Sequence, residues 1–390
     1  MLLLKNGCIH DAVRPEAYAA DILVEDGKIK AIGENLPGAD EVIDLAGLSV
    51  YPGFVEAHCH LGLDGYGIGF EGADYNEYGD ICTPQMRAID SYNPLDPSVK
   101  KAALAGVTTV ATGQGSSNAI GGTWIAVKTC GISADEAIVK DPVAMKGALG
   151  ENPKRCYRDK GISARMTVAA KLREMLFKAQ EYLAKKEAAG DDVSKRPAFD
   201  MKLEALIPVL RREIPLKAHA HRADDIFTAI RIAKEFNVRL TLDHVTDGSL
   251  IANELAEEGY PCAVGPSLTH ASKFELANKS FVTAGDLSKA GAPVSIITDS
   301  PVIPEQYLPL CAGLAVKDGM DAFEALKAIT INAARHIGVA DRVGSIEVGK
   351  DADLVIADGD PLDSATRVEA VFINGERVTR LSGQSASCAY

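Results

Sequence analysis

The chain has 390 residues, 47% of them hydrophobic, with 41 Lys and Arg against 54 Asp and Glu for a formal net charge of −13. That length and apolar content predict one large domain plus a small one and exclude an intrinsically disordered chain. The acidic balance, with no basic block, excludes a general affinity for nucleic acid or for an anionic membrane surface, because both need clustered cations.

The N-terminal stretch "MLLLKNGCIHDAV" has three consecutive leucines before Lys5 and a turn-like Asn6-Gly7, which is too little for the apolar region of a secretory signal. No run of about 18 apolar residues is present to span a membrane. The eight cysteines, Cys8, Cys59, Cys82, Cys130, Cys156, Cys262, Cys311 and Cys388, are scattered without Cys-X-X-Cys pairs. Reduced thiols in a cytoplasmic protein are the expectation.

Residues 1–52 have a β texture. "ADILVEDGKIKAIG" alternates apolar and polar residues around Asp26-Gly27, a strong hairpin signal, and "EVIDLAGLSVYPG" adds strand and turn. Near the other end, "DADLVIADGDPLD" and "RVEAVFINGERV" repeat that texture around Asn374-Gly375. Neither end can bury a core alone, so residues 1–52 and 346–390 are predicted to meet in one small β-sandwich domain.

Residues 53–345 change pattern. Eight short apolar runs follow in order: 53–60, 106–113, 123–130, 144–152, 215–221, 238–245, 260–266 and 292–300. Helical stretches such as "ADDIFTAIRIAKEFN" lie between several of them. Strands alternating with helices over roughly 290 residues predict an α/β fold, a closed (β/α)8 TIM barrel. An open doubly wound sheet fits less well, since no Gly-X-Gly-X-X-Gly turn opens it. The loops 61–97 and 114–122 follow the first two strands and are expected on the face where a barrel builds its active site. The charged stretch 164–190 reads as a solvated outer helix.

In "VYPGFVEAHCHLGL", His58 and His60 are two residues apart at the end of a strand, so both point to one face and form half of a metal site. Other ligand-type residues stand at equivalent strand ends: Glu151 after the fourth run, His219 and His221 in the fifth, His244 in the sixth and Asp299 in the eighth. Taken singly, Asp299 before Ser300-Pro301 reads as a turn residue and Glu151 as a solvated loop acid. Five strand ends carrying ligand types together are hard to obtain from packing needs, and the strand ends of a barrel converge on one rim.

The order "PGFVEAHCHLG", "KAHAH", "LDHV", "ITDSP" and "AITINAARHIGVADRVGSIEVGKDADLVIAD" resembles the amidohydrolase superfamily, in particular its imidazolonepropionase-like and prolidase-like branch. The resemblance spans nearly the whole chain and is weakest over 61–97 and 164–190. It implies one or two divalent ions, most often zinc, in the mouth of the barrel. His58, His60 and Asp299 would hold the more buried ion, and His219 and His244 the second. Many relatives bridge the two ions with a carboxylated lysine from the fourth strand. Here Lys146 falls near the start of that run, so the bridge is assigned to Glu151. His219 matches the family position better than His221, which then contacts substrate or supports a ligand.

The chemistry implied is hydrolysis of a C–N bond by activated water, with Asp299 as general acid/base. A single-metal deaminase acting on a nucleobase-like ring is the alternative, and a catalytically silent scaffold of the same fold is a weaker one. Arg222, His270, Lys154, Arg155 and Tyr157 follow strand ends and are candidates for binding a substrate carboxylate, with Asn118 as a further polar contact. The substrate class read here is a small amide, cyclic amide or dipeptide-like molecule bearing an acidic group. A homo-oligomer is compatible with the sequence, although no feature selects a symmetry.

Overall fold

The computed structural model describes residues 1–378. Strands from both ends of the chain share one eight-stranded sheet. Five come from the N-terminal side, Leu2–Ile9, Tyr18–Glu25, Lys28–Gly33, Glu41–Asp44 and Ser49–Pro52; three come from the C-terminal side, Leu354–Ala357, Val368–Ile373 and Glu376–Val378. The join is Ser49–Pro52 paired antiparallel with Leu354–Ala357. Both anticipated hairpin turns form: Asp26 and Gly27 have φ of 50° and 75°, and Asn374 and Gly375 have the same values. Positive φ at both central residues is what a two-residue turn matched to strand twist requires. All eight strands belong to one hydrogen-bonded sheet, with a core cluster of its own around Ile22, Val50 and Leu354.

The second sheet holds, in spatial order, Phe54–Cys59, Val107–Thr112, Ile120–Lys128, Ile138–Ala148, Leu216–Ala220, Leu240–His244, Cys262–Val264 and Val294–Ile296. These fall on the eight apolar runs of the sequence. One strand departs from the expected pattern: Ile120–Lys128 is antiparallel to both of its neighbours, while every other consecutive pair is parallel. The physical reason is linker length. Residues 113–119 and 129–137 are shorter than the dozen or so that a parallel crossover needs, so the chain reverses there. A ninth strand, Cys82–Arg87, lies within the segment expected to be a loop and pairs with Ile120–Lys128.

The seam between the last and first strands is closed by side chain and loop. Glu56, wholly buried, accepts hydrogen bonds from the Thr298 amide and hydroxyl and from the His58 amide, each at 2.8 Å. The His60 amide donates to the Ser300 carbonyl at 2.7 Å. The result is a nearly closed, mostly parallel barrel with helices outside. Helix Ala223–Phe236 shows why they pack there: it buries Ile226, Ala229, Ile230 and Ala233, spaced three and four apart, and ends at Asn237 in the left-handed conformation. Helix Arg165–Ala189 is the outer helix expected, with exposed Glu174–Lys178 and Glu181–Lys185 pairs on its surface. Cys8, Cys59, Cys82, Cys156, Cys262 and Cys311 are unpaired thiols; Cys388 lies outside the described range. No described helix is long and apolar enough to cross a membrane.

Candidate metal centre

Five histidines and one aspartate converge at the carboxyl ends of the barrel strands. One ligand atom from each of His219, His221 and His244 lies within 4.8 Å of the others, and the same holds for His58, His244 and Asp299, so His244 belongs to both groups. His58 Nε2 stands 3.3 Å and His60 Nε2 3.4 Å from Asp299 Oδ1. All of them line a cavity of about 390 Å³.

Strand geometry accounts for most of this convergence. Lys217, His219 and His221 occupy alternate positions beginning in Leu216–Ala220, so all three reach one face, the lysine deepest. His244 needs a different device. It follows Asp243 directly, yet both side chains meet His58, the Asp243 carboxylate at 3.0 Å from Nδ1 and the His244 ring 4.9 Å from the His58 ring. A φ of 76° at His244 breaks the strand alternation and lets consecutive residues serve the same space. Asp299 has a φ of 54° at the last strand's end. Non-glycine residues held this way cost on the order of 1–3 kcal/mol each and cluster at functional sites.

The ring nitrogens have divided roles. His60 Nδ1 lies 2.7 Å from the Gly113 carbonyl and His244 Nδ1 lies 2.9 Å from the Gly265 carbonyl. A carbonyl only accepts, so each Nδ1 carries the proton and each Nε2 keeps a lone pair facing the cavity. Asp243 fixes His58 in the same sense, and His221 Nδ1 is 2.8 Å from the Thr246 hydroxyl. Such partners orient metal-ligating histidines in general. His219 is buried with both ring nitrogens lacking a hydrogen-bond partner. Burial holds His219 and His221 well below the usual histidine range and brings His244 down to about 3, so these rings are neutral and able to donate electron pairs. The Asp299 carboxylate faces the Nε2 atoms of His58 and His60 at 3.3 and 3.4 Å, and with both of these nitrogens unprotonated the three electron-rich atoms call for a cation among them. Orphaned imidazole nitrogens beside an ionised carboxylate fit a divalent ion, and the nitrogen-rich donor set suits zinc.

Beneath the histidines lies a layer of buried charge that the sequence analysis missed. Asp243 receives Lys146 Nζ at 2.8 Å and Lys217 Nζ at 2.7 Å, and both lysine nitrogens lie 5.0 Å from the centre of the Trp124 ring. Burial pushes the Lys146 ammonium below its usual range, while His58 and the lysines hold Asp243 well below the carboxylate range against the cost of burial. The signal was present in the alternation of Lys217 with His219 and His221. Trp124, fully buried, supports His58 at 4.6 Å between ring centres.

The expected residues divide as follows. His58, His60, His219, His221, His244 and Asp299 come together. Glu151 does not join them, which corrects its assignment as a bridge. The fourth strand is longer than its apolar run and ends at Ala148; Gly150, with φ 85°, then turns the chain so that Glu151 starts helix Glu151–Cys156 and lines a neighbouring cavity. For the same reason Lys146 sits near the strand's carboxyl end rather than its start, fully buried and lining the histidine cavity. Arg155 lines both cavities. Arg222 and Lys154 line only the second. His270 is exposed and lines neither cavity. Asn118 and Tyr157 are structural clamps instead: Asn118 Nδ2 donates to the Tyr157 hydroxyl at 2.9 Å, and that hydroxyl lies 2.7 Å from the carbonyls of both Glu77 and Asp80. They pin the 61–97 segment against the barrel, and Tyr75, Asn76 and Tyr78 of that segment line the cavity wall, with Tyr75 stacked on His60 at 4.9 Å. Lys273, Lys279 and buried Glu275, from the loop after the seventh strand, also escaped the sequence reading. Glu275 Oε1 is 2.6 Å from Lys273 Nζ and 3.7 Å from Nε2 of His219 and of His221.

Residues 207–378 match the amidohydrolase family model. A solved amidohydrolase from Thermotoga maritima MSB8 superposes with a TM-score of 0.94 at 41% identity, over 97% of this chain and 100% of that one. The chain belongs to the amidohydrolase family and falls with its imidazolonepropionase-like members. It is 29% identical to an imidazolonepropionase from Geobacillus sp. (strain WCH70), over 86% of this chain and 83% of that protein. It is 25% identical to the amidohydrolase tasK of Hapsidospora irregularis over 92% of its own length, but spans only 40% of that relative.

Proposed function

We propose that the chain is a metal-dependent hydrolase that cleaves the C–N bond of a small amide, cyclic amide or dipeptide-like molecule carrying a carboxylate. The observation that carries this reading is the pair of ligand groups sharing His244, whose Nε2 is left free by the Nδ1 contact with the Gly265 carbonyl. A divalent ion bound there, zinc by its donor set, would polarise the scissile carbonyl and lower the pKa of water toward neutrality.

The protein's own groups do the rest. Asp299, ionised and beside His58 and His60, is placed to take a proton from the attacking water and return it to the leaving nitrogen. Arg155, Lys273 and Lys279 at the cavity mouth offer charge-assisted hydrogen bonds to a substrate carboxylate. Tyr75 and the 61–97 segment cover the His60 side and limit water. If two ions are held, Lys146, which lines the same cavity, would be the strand-four group able to supply a further oxygen ligand, by adding carbon dioxide to its amine and losing a proton to give a carbamate. The one-ion deaminase is the second reading, favoured by the position of Glu151 outside the site and by the engagement of Lys146 with Asp243. A small separate domain built from 1–52 and 346–390, a cytoplasmic location and a small-molecule substrate belong to the same proposal.

The test is metal content by elemental analysis for wild type and Lys146→Ala, with turnover of N-acyl amino acids, dipeptides and cyclic amides measured on the same preparations. About two ions falling to about one, with C–N hydrolysis in the wild type, supports the two-ion hydrolase. One ion in both moves the reading to the deaminase. No metal after reconstitution with zinc or manganese refutes both.

A further inference from the structure

Beside the histidine cavity lies a second one of about 610 Å³. Its walls carry Lys154, Arg155, Arg158, Arg165 and Arg222 around the exposed ring of Phe274. Five cations around one cavity run against the composition of a chain whose net charge is −13.

Two of the five are already committed. Arg165 pairs with Asp224 at 2.6 Å and Asp225 at 3.0 Å, and Arg222 pairs with Asp224 at 3.0 Å. Lys154, Arg155 and Arg158 have no salt bridge among the described residues. Two carboxylates also line the cavity. Glu275 is engaged by Lys273 at 2.6 Å, which leaves Glu151 alone against three uncommitted cations. The imbalance is positive, and two guanidinium groups and an ammonium that line one cavity with a single uncommitted carboxylate are suited to a further carboxylate or phosphate. Phe274 adds a flat apolar face, with the Arg222 guanidinium 5.5 Å from its ring centre.

The cavity also adjoins the metal centre. Arg155 lines both spaces, and Glu275 reaches from the second cavity to within 3.7 Å of His219 and His221. We infer that this cavity is an anion-binding subsite that holds the distal carboxylate or phosphate of the substrate, while the scissile bond lies among the histidines. That the ligand is a substrate rests on the proposed hydrolase. The binding chemistry does not, and the test uses it alone.

The probe is phenyl phosphate, which presents an anion on a flat ring, titrated calorimetrically into metal-loaded protein, with benzyl alcohol as the uncharged control. The expected result is saturable binding of phenyl phosphate but not of benzyl alcohol, weakened at least about tenfold in the Lys154→Ala/Arg158→Ala double variant, as the loss of charged hydrogen bonds requires. Binding should persist within about twofold in wild type stripped of metal by chelation, since the uncommitted cations are not ligands. Absence of saturable binding overturns the inference, and so does binding that metal removal abolishes or that the double variant retains. If no amide is turned over, the proposed function fails while the binding result stands or falls by itself.

Discussion

Asp243→Asn is the perturbation that most directly tests how the site is held. The carboxylate faces Lys146, Lys217 and His58 at 2.8, 2.7 and 3.0 Å, and all four groups are buried. An amide of the same shape fills the space but removes the only negative charge between two ammonium groups. Leaving a buried charge without its partner costs about 3–5 kcal/mol. Burial already pushes Lys146 toward the neutral amine, so it can release its proton; Lys217 keeps only the Ala57 carbonyl at 3.0 Å. The cost therefore corresponds to one uncompensated ammonium, not two. For 390 residues at about 2.1 cal/mol/K each, the unfolding entropy is roughly 0.8 kcal/mol/K, and the expected drop in Tm is about 4–6 °C. His58 also loses the partner that fixes its tautomer, which should weaken zinc retention about 10- to 100-fold. Adding Lys217→Met should recover part of the stability, because removing both members of a buried pair costs less than removing one. Thermal unfolding and competition with a chelator measure the two effects. A Tm within about 1 °C of wild type together with unchanged zinc retention would refute the reasoning, since no reading of a buried, charge-balanced Asp243 permits both.

Two further perturbations probe neighbouring parts of the barrel. At Gly113 a Cβ atom would stand 2.3 Å from Trp124 Cδ1 and 2.4 Å from Cγ, and the rigid, fully buried indole cannot yield as a flexible side chain would. Gly113→Ala should cost about 1–3 kcal/mol in denaturant unfolding and disturb the His60 hydrogen bond to the same residue's carbonyl; unaltered stability would show that the indole has room to move. Glu305→Gln addresses pH. Burial raises Glu56 to about 7, and burial with Glu56 close by raises Glu305 well above the carboxylate range. A carboxyl whose folded pKa is raised stabilises the fold below its unfolded pKa, near 4.5, and that contribution is lost as pH rises through the folded value. For Glu56 alone the loss across that window is on the order of 3 kcal/mol. The glutamine variant should lose less stability than wild type between pH 5 and pH 8, and parallel unfolding curves over that range would remove the buried carboxyl pair from the account.

Much of the fold was legible because apolar runs mark barrel strands wherever both faces are buried. The direction of a strand is not written in its apolarity, and so Ile120–Lys128 read as another parallel strand. The information lay instead in the linkers: 113–119 and 129–137 cannot carry a crossover. The fourth strand was displaced because the apolar run was placed at 144–152, although the strand runs through Asp141-Pro142 from Ile138 to Ala148. That one misplaced boundary put Lys146 at the wrong end and brought Glu151 forward as a ligand. The histidines were legible because period-two spacing at a strand end has few other uses. Asp243 was not, because alternation turns it away from the face that His244 serves, and only the left-handed backbone at His244 brings both inward. Lys273, Lys279 and Glu275 come from a loop between short elements, where no periodicity indicates what faces the cavity.

The way the ligands are held bears on when metal enters. His60, His244, His58 and His221 are each fixed through Nδ1 by a partner from another part of the chain, and Asp243 is itself fixed by two lysines. The strained backbone at His244 and Asp299 persists only because the surrounding barrel over-determines it. A site assembled in this way draws its order from the folded barrel and not from the ion, unlike small metal domains in which binding energy is folding energy. Metal therefore adds its affinity to a preformed arrangement, and the rim segments that carry Arg155, Lys273 and Lys279 can change without disturbing the ligands beneath them.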